Sequence, residues 1–130
     1  MATRATYKFY NTKLINSATV YIHWDGYPQG ASHYIAKAIG YEGDYDKTEK
    51  LTIERFIRAN EEAELTRAHS SHADTEYRYD FHTYGEMSVS KRTIERVGDE
   101  YEERWDLIYQ GNIGVFLEDN YKPDNYKPEE

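Results

Sequence analysis

The chain has 130 residues, no cysteine, 14 tyrosines and a formal net charge of −8. Such a length points to one domain that can bury a core without staples, and the lack of cysteine excludes a disulfide framework or a thiolate zinc site. The acidic balance disfavours direct DNA binding, which rests on Lys and Arg neutralising phosphates. The charge is uneven: residues 1–96 hold 14 acids and 13 bases, whereas residues 97–130 hold ten acids and three bases.

In chain order, residues 5–10 alternate, with Tyr7 and Phe9 on one side and Lys8 and Tyr10 on the other. A polar turn over 11–17 leads to a second strand at 18–24, with Val20, Ile22 and Trp24 on one face, so the two strands read as an antiparallel hairpin. A helix follows over 28–39. Ala31, Tyr34, Ile35, Ala38 and Ile39 make its apolar face, Pro28 suits its first turn, and Gly40 is a natural stop. After a loop at 41–47, Thr48 is expected to cap a second helix reaching about Glu62, with Ile53, Phe56 and Ile57 as its stripe. Ala63–Arg67 reads equally as a short strand or the frayed end of that helix. The strictest alternation lies at 75–82, where Tyr77, Tyr79 and Phe81 oppose Glu76, Arg78, Asp80 and His82. Strands at 87–97 and 101–109 complete a meander with turns at 83–86 and 98–99; Trp105, Leu107 and Tyr109 are expected on one face. Asn112 is positioned to cap a short helix containing Ile113, Phe116 and Leu117.

The expected architecture is therefore α+β: an N-terminal β-hairpin, two helices, an antiparallel meander and a short C-terminal helix, with the helices on one face of the sheet. Residues 1–119 are expected to form this domain. Residues 120–130, which repeat NYKPD and NYKPE, are expected to be a disordered tail. No signal peptide and no apolar run of about 20 residues is present, which points to a soluble, cytoplasmic protein with no membrane association.

The stretch His23-Trp24-Asp25-Gly26-Tyr27-Pro28 is the densest in unusual residues. Gly26 and Gly30 are expected to supply special backbone angles. Asp25 is expected to accept from the free N–H groups of the following helix. Together with Ala2-Thr3-Arg4-Ala5-Thr6, this stretch resembles a family of small proteins of phages, prophages and bacterial genomes. The likeness extends through Arg55-Phe56-Ile57-Arg58-Ala59-Asn60 and Asp74-Thr75-Glu76-Tyr77-Arg78-Tyr79. The resemblance implies a small accessory protein of phage type, acting in the host cytoplasm; it brings no catalytic residue with it.

No phosphate-binding glycine loop, nucleophile elbow or thiol pair is present, so a non-enzymatic role is expected, with no catalytic residue and no cofactor. Acids interleave with tyrosine at Asp99-Glu100-Tyr101-Glu102-Glu103, a pattern suited to a basic protein surface. That stretch, with Trp24, Asp25 and Tyr27, is the expected protein contact, and the partner is a host protein with a basic surface, such as a component of anti-phage defence. Two further readings stay open. Arg55 and Arg58 on one helix face suit phosphate, with Tyr27 or Trp24 stacking on a base, as in a sponge for a nucleotide signal. His69, His72 and Asp74 are weakly spaced metal candidates for a hydrolase. Exposed sheet edges leave a homodimer open.

Overall fold

The computed structural model describes residues 2–10, 17–43 and 51–129. Most of the expected turn at 11–17, the loop beyond residue 43 and the expected cap Thr48 lie outside the described residues.

Six strands form one sheet: β1 (Ala5–Tyr10), β2 (Ser17–Ile22), β3 (Glu64–Thr66), β4 (Tyr77–Phe81), β5 (Glu86–Val97) and β6 (Glu100–Asn112), in the spatial order β3-β2-β1-β4-β5-β6. Three helices join them: α1 (Pro28–Ile39), α2 (Ile53–Ala59) and α3 (Ile113–Asn120). The expected α+β architecture stands, with one addition. β1 pairs with β4 in parallel, Tyr7 opposite Tyr79, so the sheet is mixed. This pairing welds the N-terminal hairpin to the meander.

All three helices cover the same face. Tyr7 meets Tyr34 of α1 and Phe56 of α2, Phe9 also meets Phe56, and Tyr79 and Tyr109 meet Phe116 of α3. The inward rings continue across the strands: Tyr7 stacks on Tyr79 at 4.9 Å and Phe9 on Phe81 at 4.8 Å. Aromatic rings thus share the core with aliphatic side chains such as Val20, Ile22, Ile35 and Leu117. The buried Tyr79 hydroxyl donates to the Gly26 carbonyl at 2.6 Å.

Helix ends follow local chemistry. Pro28 opens α1, and Gly40, at φ 65°, closes it in the left-handed conformation that glycine adopts without steric cost. α2 starts later than expected because Thr52 caps it, its side chain accepting from the Arg55 N–H at 3.2 Å. Leu51 and Phe56 occupy the two positions of a hydrophobic staple about that cap. α2 also ends early: the Asn60 side chain donates to the carbonyls of Phe56 and Tyr34 and ties the helix end to α1. Asn112 caps α3 as expected, its side-chain oxygen accepting from Gly114 N–H at 2.6 Å.

Of the two readings left open for residues 63–67, the strand holds: residues 64–66 pair with β2. One local expectation needs correction. Trp105, Leu107 and Tyr109 do not share a face. The register jumps from Val89 opposite Tyr109 to Ser90 opposite Leu107, so Ile108 is a β-bulge. The extra residue flips the alternation. Tyr109 joins the helix-covered face, where it meets Phe116, while Trp105 lies on the open face over the Arg78 guanidinium at 3.8 Å.

The segment assigned in sequence to a disordered tail is described as far as residue 129 and lies against the domain. Tyr126 stacks on His33 at 3.7 Å, and Glu129 bonds to Thr3 and Asp25. No described helix is long and apolar enough to cross a membrane.

Candidate functional site: a projecting arm and the corner beside it

β4 begins at the register of Lys91, and the last bridge to it is Arg92 N–H donating to Glu76 O. Beyond that point β5 and β6 continue alone as a two-stranded arm closed by Gly98-Asp99, with Gly98 at φ 65°. A type II′ hairpin turn needs such a positive φ at its first central residue. The five residues from Thr93 to Val97 carry the arm about 17 Å past the sheet.

Opposed residues of an antiparallel pair share a face, so register sorts the arm's side chains. One face carries Thr93 with Arg104, Glu95 with Glu102, and Val97 with Glu100; the other carries Arg92 with Trp105, Ile94 with Glu103, and Arg96 with Tyr101. Residues 93–106 hold six carboxylates and two arginines, a net charge of −4. Arg104 ties down one end of the acidic face through Glu95 and Asp106, and Thr93 Oγ1 donates to Asp106 at 2.7 Å. Glu102 stands directly opposite Glu95, a like-charge pair that opposes hairpin stability. On the other face Ile94 is 57% and Tyr101 71% exposed. An isolated hairpin is at best marginally stable, and this one leaves apolar and acidic side chains in solvent along an unpaired edge strand. Of the expected contact residues, Asp99, Glu100, Tyr101, Glu102 and Glu103 all sit on this arm and all are exposed.

The HWDGYP corner lies at the same end of the sheet. Ala5 opposes both Ile22 and Tyr77, so the residues before β1, after β2 and before β4 share that end with the arm. β1 and β5 are two strand spacings apart, about 10 Å. The corner's chemistry differs from the sequence reading. Asp25 does not cap α1; Tyr27 holds the cap position without a side-chain bond. Asp25 itself adopts φ 58° and is only 5% exposed. Gly26 and Gly30 are needed for close approach rather than for special angles. A Cβ on Gly26 falls 2.6 Å from Ala5 Cβ, and one on Gly30 meets the backbone and Cβ of Asp25. Trp24 offers its carbonyl to the Tyr34 hydroxyl at 2.8 Å, and its ring lies edge-on to His23.

The metal candidates are dispersed. His69 bridges Thr6 Oγ1, at 2.6 Å, and Asp80 Oδ1, at 3.0 Å; His72 stacks on Tyr21 at 3.8 Å; Asp74 pairs with Arg4 at 3.1 Å. Among the described residues no three His, Asp or Glu side chains converge on a cation position. Thr6–His69–Asp80 is a hydroxyl–imidazole–carboxylate chain, but Thr6 is fully buried and cannot meet a substrate. It pins the 69–71 turn to the open face of the sheet. Burial alone pushes the Asp80 carboxyl up, but the His69 bond, the charges of His69 and His82, and the Tyr10 hydroxyl outweigh it and hold the group below its ordinary value. The folded chain thus keeps Asp80 ionised while the unfolded chain takes up a proton at about pH 4. The stability it contributes is present above that pH and is lost as pH falls through the lower, folded value. Asp80→Asn is therefore expected to cost about 1–2 kcal/mol at neutral pH and to flatten the acid limb of a stability–pH curve measured by urea unfolding.

Arg55 and Arg58 are exposed on α2, and no hydrogen bond, ion pair or ring contact among the described residues links them to Trp24 or Tyr27. Two adjoining shallow clefts, of about 400 and 480 Å³, lie where α1 and its C-terminal loop meet the segment after α3; Tyr41, Glu42 and Tyr121 line both, and neither arginine lines either. The sequence reading missed Thr3, Tyr126 and Glu129 at the corner; the repeated tyrosine and acid of NYKPD-NYKPE were the available signal. Comparison with family models, with curated proteins and with solved structures yields no match to this chain, so function is read from these surfaces alone.

Proposed function

We propose that the chain is a non-enzymatic binding protein whose β5–β6 arm occupies a basic surface of another protein. The observation that carries this reading is the arm itself: a hairpin extended past its sheet, net −4, with exposed Ile94 and Tyr101 on one face and Glu95, Glu100 and Glu102 on the other. Carboxylates steer a cationic partner into place and exposed rings supply contact area. The same acids work against pairing of two β6 edges, which favours a foreign partner over a second copy on this edge. The N-terminal motifs, which resemble those of small phage and prophage proteins, make a host factor the natural partner, a component of anti-phage defence among them.

The test is native purification from the host followed by native mass spectrometry, with the wild type and Glu100→Lys/Glu102→Lys run side by side. Neither glutamate has an ion pair among the described residues, and Glu102→Lys relieves the clash with Glu95, so the variant is expected to fold at least as well. The expected result is a stoichiometric basic protein that is lost from the variant and released from the wild type as salt rises from about 0.1 to about 1 M, where the screening length shrinks to about 3 Å. A partner retained equally by both proteins overturns the reading. A bound small molecule of nucleotide mass does so too, in favour of Arg55 and Arg58.

A further inference from the structure

The corner holds a built site for a carboxylate, independent of the arm. Thr3 precedes β1 and Asp25 follows β2, and the pairing of Ala5 with Ile22 sets them side by side. Their N–H groups converge on one oxygen of Glu129, at 2.9 and 2.7 Å, while Thr3 Oγ1 donates to the other at 2.7 Å. The bond also runs the other way: Glu129 N–H donates to Asp25 Oδ1 at 2.9 Å. Three residues earlier, Tyr126 stacks on His33 of α1. One side chain and one main-chain group of the segment are thus read at the acid, and one ring is read at the helix.

The left-handed backbone of Asp25 is what turns its N–H and its carboxylate onto the same residue. A non-glycine residue at positive φ is uncommon and strained, and the surroundings must offset that strain. Gly26 and Gly30 permit the close packing that holds it: Gly26 N–H donates to Thr3 O at 2.8 Å, and Gly30 lies against Asp25. The Glu129 carboxyl, which burial alone pushes up, is held below its ordinary value by its hydrogen bonds from Thr3 and Asp25. The donors of the site thus belong to residues flanking β1 and β2, and the segment that follows α3 fills it.

We infer that the HWDGYP corner is a recognition site for an extended peptide of the pattern Tyr-x-x-Glu, filled in this structure by residues 126–129 of the same chain. The ligand class is an acidic peptide with an aromatic ring three residues before its carboxylate. The same spacing recurs at Tyr121 and Asp124 with aspartate in place of glutamate. In cis the segment competes at an effective concentration in the millimolar range, so an outside peptide gains the site only when the tether is weakened.

The experiment uses the full chain carrying Tyr126→Ala and Glu129→Ala, with a synthetic Asn-Tyr-Lys-Pro-Glu peptide capped at both ends as the probe. Binding is read by calorimetry and by Trp24 fluorescence. The expected result is one-to-one binding to the variant, at least about 10-fold weaker binding when the peptide's Glu is replaced by Gln, and at least about 10-fold weaker apparent binding to the wild type. No binding to the folded variant, or equal binding to variant and wild type, overturns the inference. If the double variant fails to fold, as judged by circular dichroism, Glu129→Gln alone replaces it. A full chain with Glu129→Gln that binds the peptide no better than wild type likewise overturns the inference.

Discussion

Gly30→Ala is expected to destabilise the protein by about 2–3 kcal/mol, even though alanine is the better helix former by about 1 kcal/mol. Gly30 is the third residue of α1, where propensity alone favours the substitution. The added Cβ, however, falls on the carbonyl oxygen and carbon of Asp25 and 2.7 Å from its Cβ. These are backbone atoms and a stiff first side-chain carbon, so the collision cannot be relieved by swinging a flexible end. Asp25 is itself held at φ 58° by bonds on both its N–H and its carboxylate. The helix must therefore move off the corner, and the overpacking cost exceeds the propensity gain. Gly40→Ala is the control: at φ 65° with open space around it, it is expected to cost only about 1 kcal/mol. Urea unfolding of both variants decides the matter, and a Gly30→Ala protein as stable as wild type refutes the close approach.

Phe56→Ala is expected to cost about 3–5 kcal/mol, lowering Tm by on the order of 10–20 °C. Phe56 is fully buried and its ring lies 5.0 Å from Tyr7 and 5.2 Å from Phe9, so truncation opens a cavity between α2 and two aromatic columns of the sheet. α2 has seven residues, well below the length at which a helix persists in water without packing. Loss of its anchor is therefore expected to release the whole element. Hydrogen exchange should speed at Asn60 N–H, which bonds to Phe56 O, ahead of global unfolding. Ile57→Ala, at a half-buried position on the same helix, should cost clearly less. Equal losses for the two substitutions contradict the anchoring role given to Phe56.

Most of the local structure was legible because it follows from short-range rules. The 3.6-residue spacing from Ala31 to Ile39, with Pro28 before it and Gly40 after, determined α1 to its terminal residues. Strict alternation at Tyr77, Tyr79 and Phe81 determined the inward face of β4, and Asn112 announced α3. The acidic, tyrosine-bearing arm could also be read directly, since composition and the Gly98-Asp99 turn are local properties.

What only the tertiary structure decided involves groups far apart in the chain. The parallel pairing of β1 with β4 joins residues some 70 positions apart, and both strands carry the same inward pattern whichever neighbour they take. The bulge at Ile108 depends on how β6 must turn its Tyr109 toward Phe116, which no alternation count contains. The sequence pointed to Thr48 as a cap; the fold places Leu51 and Phe56 against the core on either side of Thr52, which caps α2. The corner is the clearest case. HWDGYP marks itself as unusual, but the partner of Asp25 is Glu129, 104 residues later, brought there by the return of the chain through α3. Sequence patterns report which faces want burial; which distant donor meets which acceptor is decided only when the whole chain closes around one core.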